Sequence, residues 1–187
     1  NEVSMQNAYT VGKNIYLRHP TQEDAMGSWY EWFSDEDTTR YLDARYWPNS
    51  LESQAEFYDS LISDKSKLVL SIIETTNHQH IGVVSLSSIN WVHRHADIGI
   101  VIGNKDFTRG VYAAETYALI LRIAFKRLNL KNVRAGYCRS NKASEALLKL
   151  YKFKSAGIYE NMMTIDGKEE DVVLTYLDCE SWLKRNK

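Results

Sequence analysis

Cysteine is scarce in this chain: Cys138 and Cys179 are the two present, and neither stands in a Cys-x-x-Cys or Cys/His arrangement. That excludes a structural zinc site and a disulfide framework, predicts no bound metal, and points to free thiols in a reducing compartment. An excess of either charge is missing too, since 23 Lys and Arg face 24 Asp and Glu for a net charge of −1. A balanced chain has no long-range field to gather nucleic acid or an anionic membrane. No apolar run approaches the roughly 18 residues that span a bilayer, and no secretory leader pattern opens the sequence, so a cytoplasmic protein is expected. Internal repeats, low-complexity tracts and a linker are also absent, so residues 1–187 are read as one domain.

What is present is ordinary globular chemistry, 44% apolar and 25% charged, with a high aromatic share of 12% that includes five Trp and twelve Tyr. Asn1 to Asn14 lack periodicity and are read as an irregular extension. Ile15 to Arg18 form a short strand, and a helix runs from Thr21, its N-cap, to about Phe33. A long loop, Ser34 to Ser50, holds Asp35, Glu36, Asp37, Asp43, Tyr41, Tyr46 and Trp47. Asn49 to Glu52 have the spacing of a capping box for a second helix, Leu51 to Ser63. From Leu68 the pattern turns extended. Leu68 to Thr75 and His80 to Ile89 read as a hairpin through Asn77-His78-Gln79, and Ala96 to Ile102 adds a third strand. Val133 to Cys138 is another strand, Asn141 to Leu150 a helix, and Ile158 to Ile165 with Asp171 to Leu177 a hairpin through Asp166-Gly167. Asp178 to Lys187 close the chain as a helix or tail.

The stretch Asp106 to Glu115, followed by an apolar helical run to Leu128, organises the rest. A glycine-containing loop there opens a helix whose Tyr112, Leu119, Ile120, Ile123 and Leu128 recur at the spacing of a buried face. Free backbone N–H groups and the positive end of the helix dipole gather at such a junction, so it can hold a pyrophosphate without a basic side chain. It is equally a plain core helix behind a turn until its neighbours are considered.

Those neighbours are Ile15-Tyr16-Leu17-Arg18 with Glu31-Trp32 and Thr39-Arg40-Tyr41-Leu42, then His80-Ile81-Gly82-Val83, Ala96 to Gly103, and Asn141-Lys142-Ala143-Ser144. In this order and spacing the chain, from about Ile15 to Leu177, resembles the GNAT superfamily of acetyl-CoA-dependent N-acetyltransferases. It is most similar to the subgroup of ribosomal-protein N-terminal, spermidine and amino-sugar acetyltransferases. The resemblance implies a mixed α/β (α+β) fold: a mostly antiparallel twisted sheet of about seven strands, splayed in the middle and flanked by about four helices. It implies acetyl-CoA as co-substrate and direct transfer to a primary amine. The acceptor is expected to be a small molecule, a polyamine or an amino-sugar nucleotide. A protein N-terminus, or coenzyme A binding with little catalysis, are the alternatives. A homodimer is implied by the same analogy.

Residue roles follow from the resemblance. The family's pyrophosphate loop reads Gln/Arg-x-x-Gly-x-Gly/Ala. A gap-free match puts Thr108, Val111 and Ala113 at its three signature positions; a one-residue shift restores Arg109 but leaves Tyr112 where glycine is expected. With Gly110, these residues form the expected cofactor loop, whose second glycine is missing in either register. Ile100, Val101 and Ile102 are expected to pair with the pantetheine arm, Asn141 to contact the coenzyme or simply cap its helix, and Lys142 to reach a phosphate. Asp97 stands where several members carry the general base, or else it is an ordinary strand residue paired with Arg94. His93 and His95 are alternative bases. The family's usual acid, a tyrosine seven residues past the asparagine, is Leu148 here, which leaves Tyr151 as the candidate acid or as a core aromatic beside Phe153. Trp32, Tyr41 and Trp47 are expected at the acceptor site.

Overall fold

The strand Leu68–Glu74 is buried along nearly its whole length, which requires cover on both faces of the sheet it belongs to. A computed structural model of the chain, describing Met5 and residues 7–186, shows how that cover is built. Eight strands form one sheet: β1 (Ala8–Val11), β2 (Ile15–Arg18), β3 (Leu68–Glu74), β4 (His80–Asn90), β5 (His95–Ile102), β6 (Asn132–Cys138), β7 (Lys154–Ile165) and β8 (Lys168–Asp178). Their order is β1-β2-β3-β4-β5-β6-β8-β7. Neighbours are antiparallel except β5 with β6, which run parallel and pair only at His95–Asn132, Ala96–Val133 and Asp97–Arg134. Beyond Asp97 the two strands part, so Ile98 to Ile102 keep β4 on one side and have no strand on the other.

One face is covered by α1 (Gln22–Asp24), α2 (Tyr30–Phe33) and α3 (Leu51–Ser63), where Ala25, Trp29, Leu61, Val69 and Val83 form a small core. The opposite face carries α4 (Gly110–Arg122), α5 (Lys142–Leu150) and α6 (Cys179–Arg185), and holds the larger core around Ile72, Leu86, Ile120, Leu121 and Leu177. Thr21 caps α1 as expected, in a reciprocal box with Asp24. The helix does not then run smoothly to Phe33. Ala25–Trp29 form a π-type turn, with Gly27 bent out of helical geometry at φ −105° and ψ −108°.

Two element starts differ from the sequence reading. Residues 8–11 are not irregular: β1 pairs with β2 and is held by α4 and the turn after it, through Arg122 on the Thr10 hydroxyl at 2.8 Å and Arg127 on the Tyr9 carbonyl at 2.8 Å. Residues 1–4, 6 and 187 lie outside the described part. The capping box of α3 is Ser50 with Ser53 rather than Asn49 with Glu52, because Ser50 accepts from the Ser53 amide at 3.0 Å and donates its own amide to the Ser53 hydroxyl at 3.2 Å. The expected terminal helix exists, capped by Asp178 on the Ser181 amide at 2.8 Å.

An ion pair buried between layers fixes the kinked helix to the sheet. The Asp24 carboxylate accepts from both Arg18 guanidinium nitrogens at 2.6 and 3.1 Å, from the Ser71 hydroxyl at 2.8 Å and from the Thr21 amide at 3.0 Å, with His80 Nδ1 3.5 Å away. Burial alone would raise its pKa, but these donors outweigh it and lower the value to about 2. Burial pushes the pKa of His80 down, so the neutral imidazole is favoured there.

Candidate active site

The helix α4 starts without a side-chain cap: Arg109 occupies the cap position in an extended conformation and accepts nothing with its side chain. The Gly110 and Val111 amides of this thirteen-residue helix are therefore open to an anion, while the Tyr112 amide turns back to the Arg109 carbonyl at 3.3 Å. The missing second glycine costs no backbone strain. Among the described residues, none from Asn104 to Glu115 has positive φ, and Val111 and Tyr112 both lie in regular helix. Val111 is 51% exposed, and the Tyr112 ring turns away onto Phe107 at 5.1 Å.

Below this helix end runs a cavity of about 620 Å³. Its floor is the unpaired edge Ile100, Val101, Ile102 and Gly103; Thr108, Gly110, Ala113 and Ala114 line one wall and Asn141, Ser144 and Leu147 of α5 the other. Unpaired strand backbone faces it along its length, and free helix amides meet it at one end. This fits an extended amide-bearing arm that ends in phosphates. Lys105, which sequence reasoning passed over, also lines it. It stands in the turn just before the loop, a position that could have signalled it.

A second cavity, of about 440 Å³, opens on the α1–α3 side. Trp29, Phe33 and Phe57 form its apolar wall, Ser85 and Ser87 of β4 its floor, and Lys67, held over the Phe57 ring at 4.5 Å, is its one lining cation among the described residues. No carboxylate lines it among the described residues. Tyr41, Leu42, Ile100, Val101, Asn141 and Ser144 line both cavities, so the two meet where β5 and β6 part. Tyr41 is fixed there by a 3.0 Å hydrogen bond to the Ser140 hydroxyl, and its loop is tied to the β7–β8 turn by Arg40 and Arg45 on Asp166 at 3.1 and 2.7 Å.

The structure sorts the expected residues. Ile100, Val101, Ile102, Thr108, Gly110, Ala113 and Asn141 line the long cavity. Asn141 also caps α5, its side-chain oxygen accepting from the Ser144 amide at 3.2 Å. Arg109, Val111 and Tyr112 contribute backbone position but do not line it. Lys142 turns outward to a separate surface groove and pairs with Glu145 at 3.1 Å. Of the three acceptor-site candidates, Tyr41 alone lines these two cavities. Trp32 is packed against His80 at 4.7 Å and over Gly103, and Trp47 is 79% exposed. Asp97 is paired with Arg134 at 2.8 Å, not with Arg94, which instead binds the Asn129 carbonyl at 2.9 Å. Asp97 is nonetheless the register partner of Ser87, which lines the smaller cavity. His93 and His95 stack on each other at 6.4 Å and line neither cavity. The Tyr151 hydroxyl donates to the Ala114 carbonyl, and Tyr151 lines neither cavity. Tyr117, absent from the expected set, lines the smaller cavity.

Residues 14–154 match the acetyltransferase (GNAT) domain family. The spermidine N(1)-acetyltransferase of Vibrio cholerae serotype O1 is 25% identical over 138 residues, 74% of this chain and 79% of that one. In fold, the chain is similar to the crystal structure of spermidine N-acetyltransferase from Vibrio cholerae in complex with CoA and spermine. That similarity has a TM-score of 0.84 at 22% identity, covering 92% of this chain and 99% of the other. A probable acetyltransferase of known structure gives a TM-score of 0.81 at 19% identity, covering 94% and 98%. The chain belongs to the GNAT acetyltransferase family. It is an acetyl-CoA-dependent N-acetyltransferase with the mixed α/β fold of that family, its sheet one strand larger than the sequence reading anticipated.

Proposed function

We propose that this enzyme moves the acetyl group of acetyl-CoA directly onto the primary amine of a small molecule, with the long cavity holding the coenzyme and the smaller one the acceptor. The observation that carries this reading is the meeting of the two cavities along Tyr41, Ile100, Val101, Asn141 and Ser144, beside a helix end with free amides. A thioester laid along Ile100 to Ile102 would present its carbonyl at that junction, in line with an amine in the smaller cavity. Backbone N–H groups on the parted edge of β5 are the donors suited to the oxyanion that forms on attack. The proton that the arriving ammonium must lose before attack passes through water to Asp97, whose partner Ser87 lines the acceptor cavity.

The relatives support a polyamine as acceptor, since a similar protein is a spermidine acetyltransferase. A second reading is favoured by the cavity wall itself. Serine and tyrosine hydroxyls, edge-to-face aromatic rings and Lys67, with no lining carboxylate among the described residues, suit an amino sugar bearing an anionic group better than a polycation. Homodimerisation is part of the proposal. The edge strand β7 exposes Ile158, Tyr159 and Met162 and would be the surface involved, which light scattering of the purified chain would check. Thiol release from acetyl-CoA, measured against spermidine, amino-sugar nucleotides and peptides with free N-termini, tests the acceptor. Turnover confined to peptides would overturn the small-molecule reading, and no acceleration by any amine would overturn transfer itself.

A further inference from the structure

Transfer leaves a thiolate that needs a proton, and neither expected donor is in place: position 148 is leucine, and the Tyr151 hydroxyl is already donated to the Ala114 carbonyl. We propose that the hydroxyl of Tyr117, on the wall of the acceptor cavity, is the catalytic acid of this enzyme. The inference rests on the acetyl-transfer reading above.

Tyr117 stands seven residues into α4 and is 4% exposed. It lines the acceptor cavity together with Leu148, Ser144 and Ile100, the last two being shared with the coenzyme cavity. Its ring is fixed by the Tyr151 ring at 5.8 Å and by Phe153, stacked at 6.3 Å, so the hydroxyl has little freedom to leave its position. That hydroxyl makes no hydrogen bond to any described residue, and burial is the one influence acting on its ionisation. Burial keeps the phenol protonated in the resting enzyme. A buried phenol with no internal partner, lining the acceptor cavity beside Ser144 and Ile100 that border the coenzyme cavity as well, is an unused donor close to where a donor is required. Of the other tyrosines lining that cavity, Tyr41 is occupied by Ser140, and Tyr137 also borders the outer groove beside Lys142.

The step balances without any further reagent. The amine nitrogen forms a C–N bond to the thioester carbonyl carbon, and the resulting oxyanion collapses to the amide as the C–S bond breaks. The electron pair left on sulfur takes the Tyr117 proton, giving free thiol and tyrosinate. Water in the cavity returns to Tyr117 the proton shed by the nitrogen, so one amine and one thioester give one amide and one thiol.

Tyr117→Phe removes only the oxygen and keeps the aromatic stack, so circular dichroism should show a fold unchanged. With acetyl-CoA and the amine that the wild type uses best, kcat should fall about 100-fold while KM for acetyl-CoA stays within about threefold. With phenyl thioacetate as donor, whose thiolate leaves without help, the ratio of wild-type to variant rate should shrink toward one. A Tyr117→Phe enzyme within about threefold of the wild type would overturn the proposal, as would an equal loss with both donors, which would make Tyr117 a packing residue. So would a comparable loss in Tyr151→Phe with Tyr117→Phe unaffected. Absence of amine-dependent thiol release in the wild type would instead count against the transfer reading, and the two failures are thereby told apart.

Discussion

Replacing Asp24 by asparagine should destabilise the protein by an amount that depends on pH in a calculable way. The carboxylate is 7% exposed and neutralises Arg18, itself 17% exposed, through two hydrogen bonds. Asparagine can still cap α1 but leaves the guanidinium buried without a counter-charge, a loss of about 3–5 kcal/mol. The folded-state pKa of Asp24 is about 2 against an ordinary 3.8. A depressed carboxylate contributes stability that is present above the unfolded pKa and lost as pH falls through the folded one. The whole contribution is about 2.5 kcal/mol, fully present above pH ~5, reduced by about 1 kcal/mol at pH ~3 and gone below pH ~2. Urea unfolding followed through buried Trp29 should therefore show the variant about 3 kcal/mol less stable at pH 7, with the gap about 1 kcal/mol smaller at pH 3. Other carboxylates titrate alike in both proteins and cancel in the difference. A gap below about 1 kcal/mol at pH 7, or one that stays constant between the two pH values, would refute the reasoning. Because the pair anchors the helix that carries Trp29 and Phe33, the variant should also raise KM for the acceptor more than for acetyl-CoA.

Other perturbations separate the parts of the site. A Cβ on Gly103 would stand 2.0 Å from the Trp32 ring, so Gly103→Ala should lower the melting temperature, by roughly 1–3 kcal/mol of stability, and a melt unchanged by it would show the ring free to move. Ala113→Leu should raise KM for acetyl-CoA about tenfold or more by filling the coenzyme cavity, whereas Lys142→Ala, on the outer groove, should leave it within about twofold; steady-state kinetics in which both variants behaved alike would contradict this placement. Asp97→Asn should lower kcat/KM for the amine about tenfold at neutral pH with less effect at high pH, where the amine arrives deprotonated, and a pH-independent loss would remove Asp97 from the proton path.

Most of the fold could be read before the coordinates, because strands and helices here carry clear periods and caps. Thr21, Asn141 and Asp178 each precede their helices with a side-chain acceptor, and each caps as local chemistry dictates. The strand β1 could not be read: four residues with no alternation are ordered by Arg122 and Arg127, more than a hundred positions away. The bend at Gly27 was likewise hidden, since a lone glycine in a helical pattern does not announce a π-type turn. In the site, residues that act through backbone were legible because strand and helix end are set by local pattern. Side chains whose roles depend on who meets them were not. Asp97 found Arg134 across the parallel pair, Tyr151 found a helix carbonyl, and Tyr117 falls outside the run Tyr112, Leu119, Ile120, Ile123 and Leu128 by which the helix was read.

The parting of β5 from β6 has a consequence for stability as well as for binding. The sheet is two half-sheets, β1–β5 and β6–β8, joined directly by a parallel seam of only His95 to Asp97 with Asn132 to Arg134. A coenzyme arm lying along Ile100 to Ile102 would act as a removable rung across that seam, bracing the two halves together. Its binding should then be visible as cohesion: at a hundredfold excess over Kd, acetyl-CoA adds about 2.7 kcal/mol against unfolding. The amides of Ile100 to Ile102 should gain protection from solvent exchange ahead of the rest of the sheet.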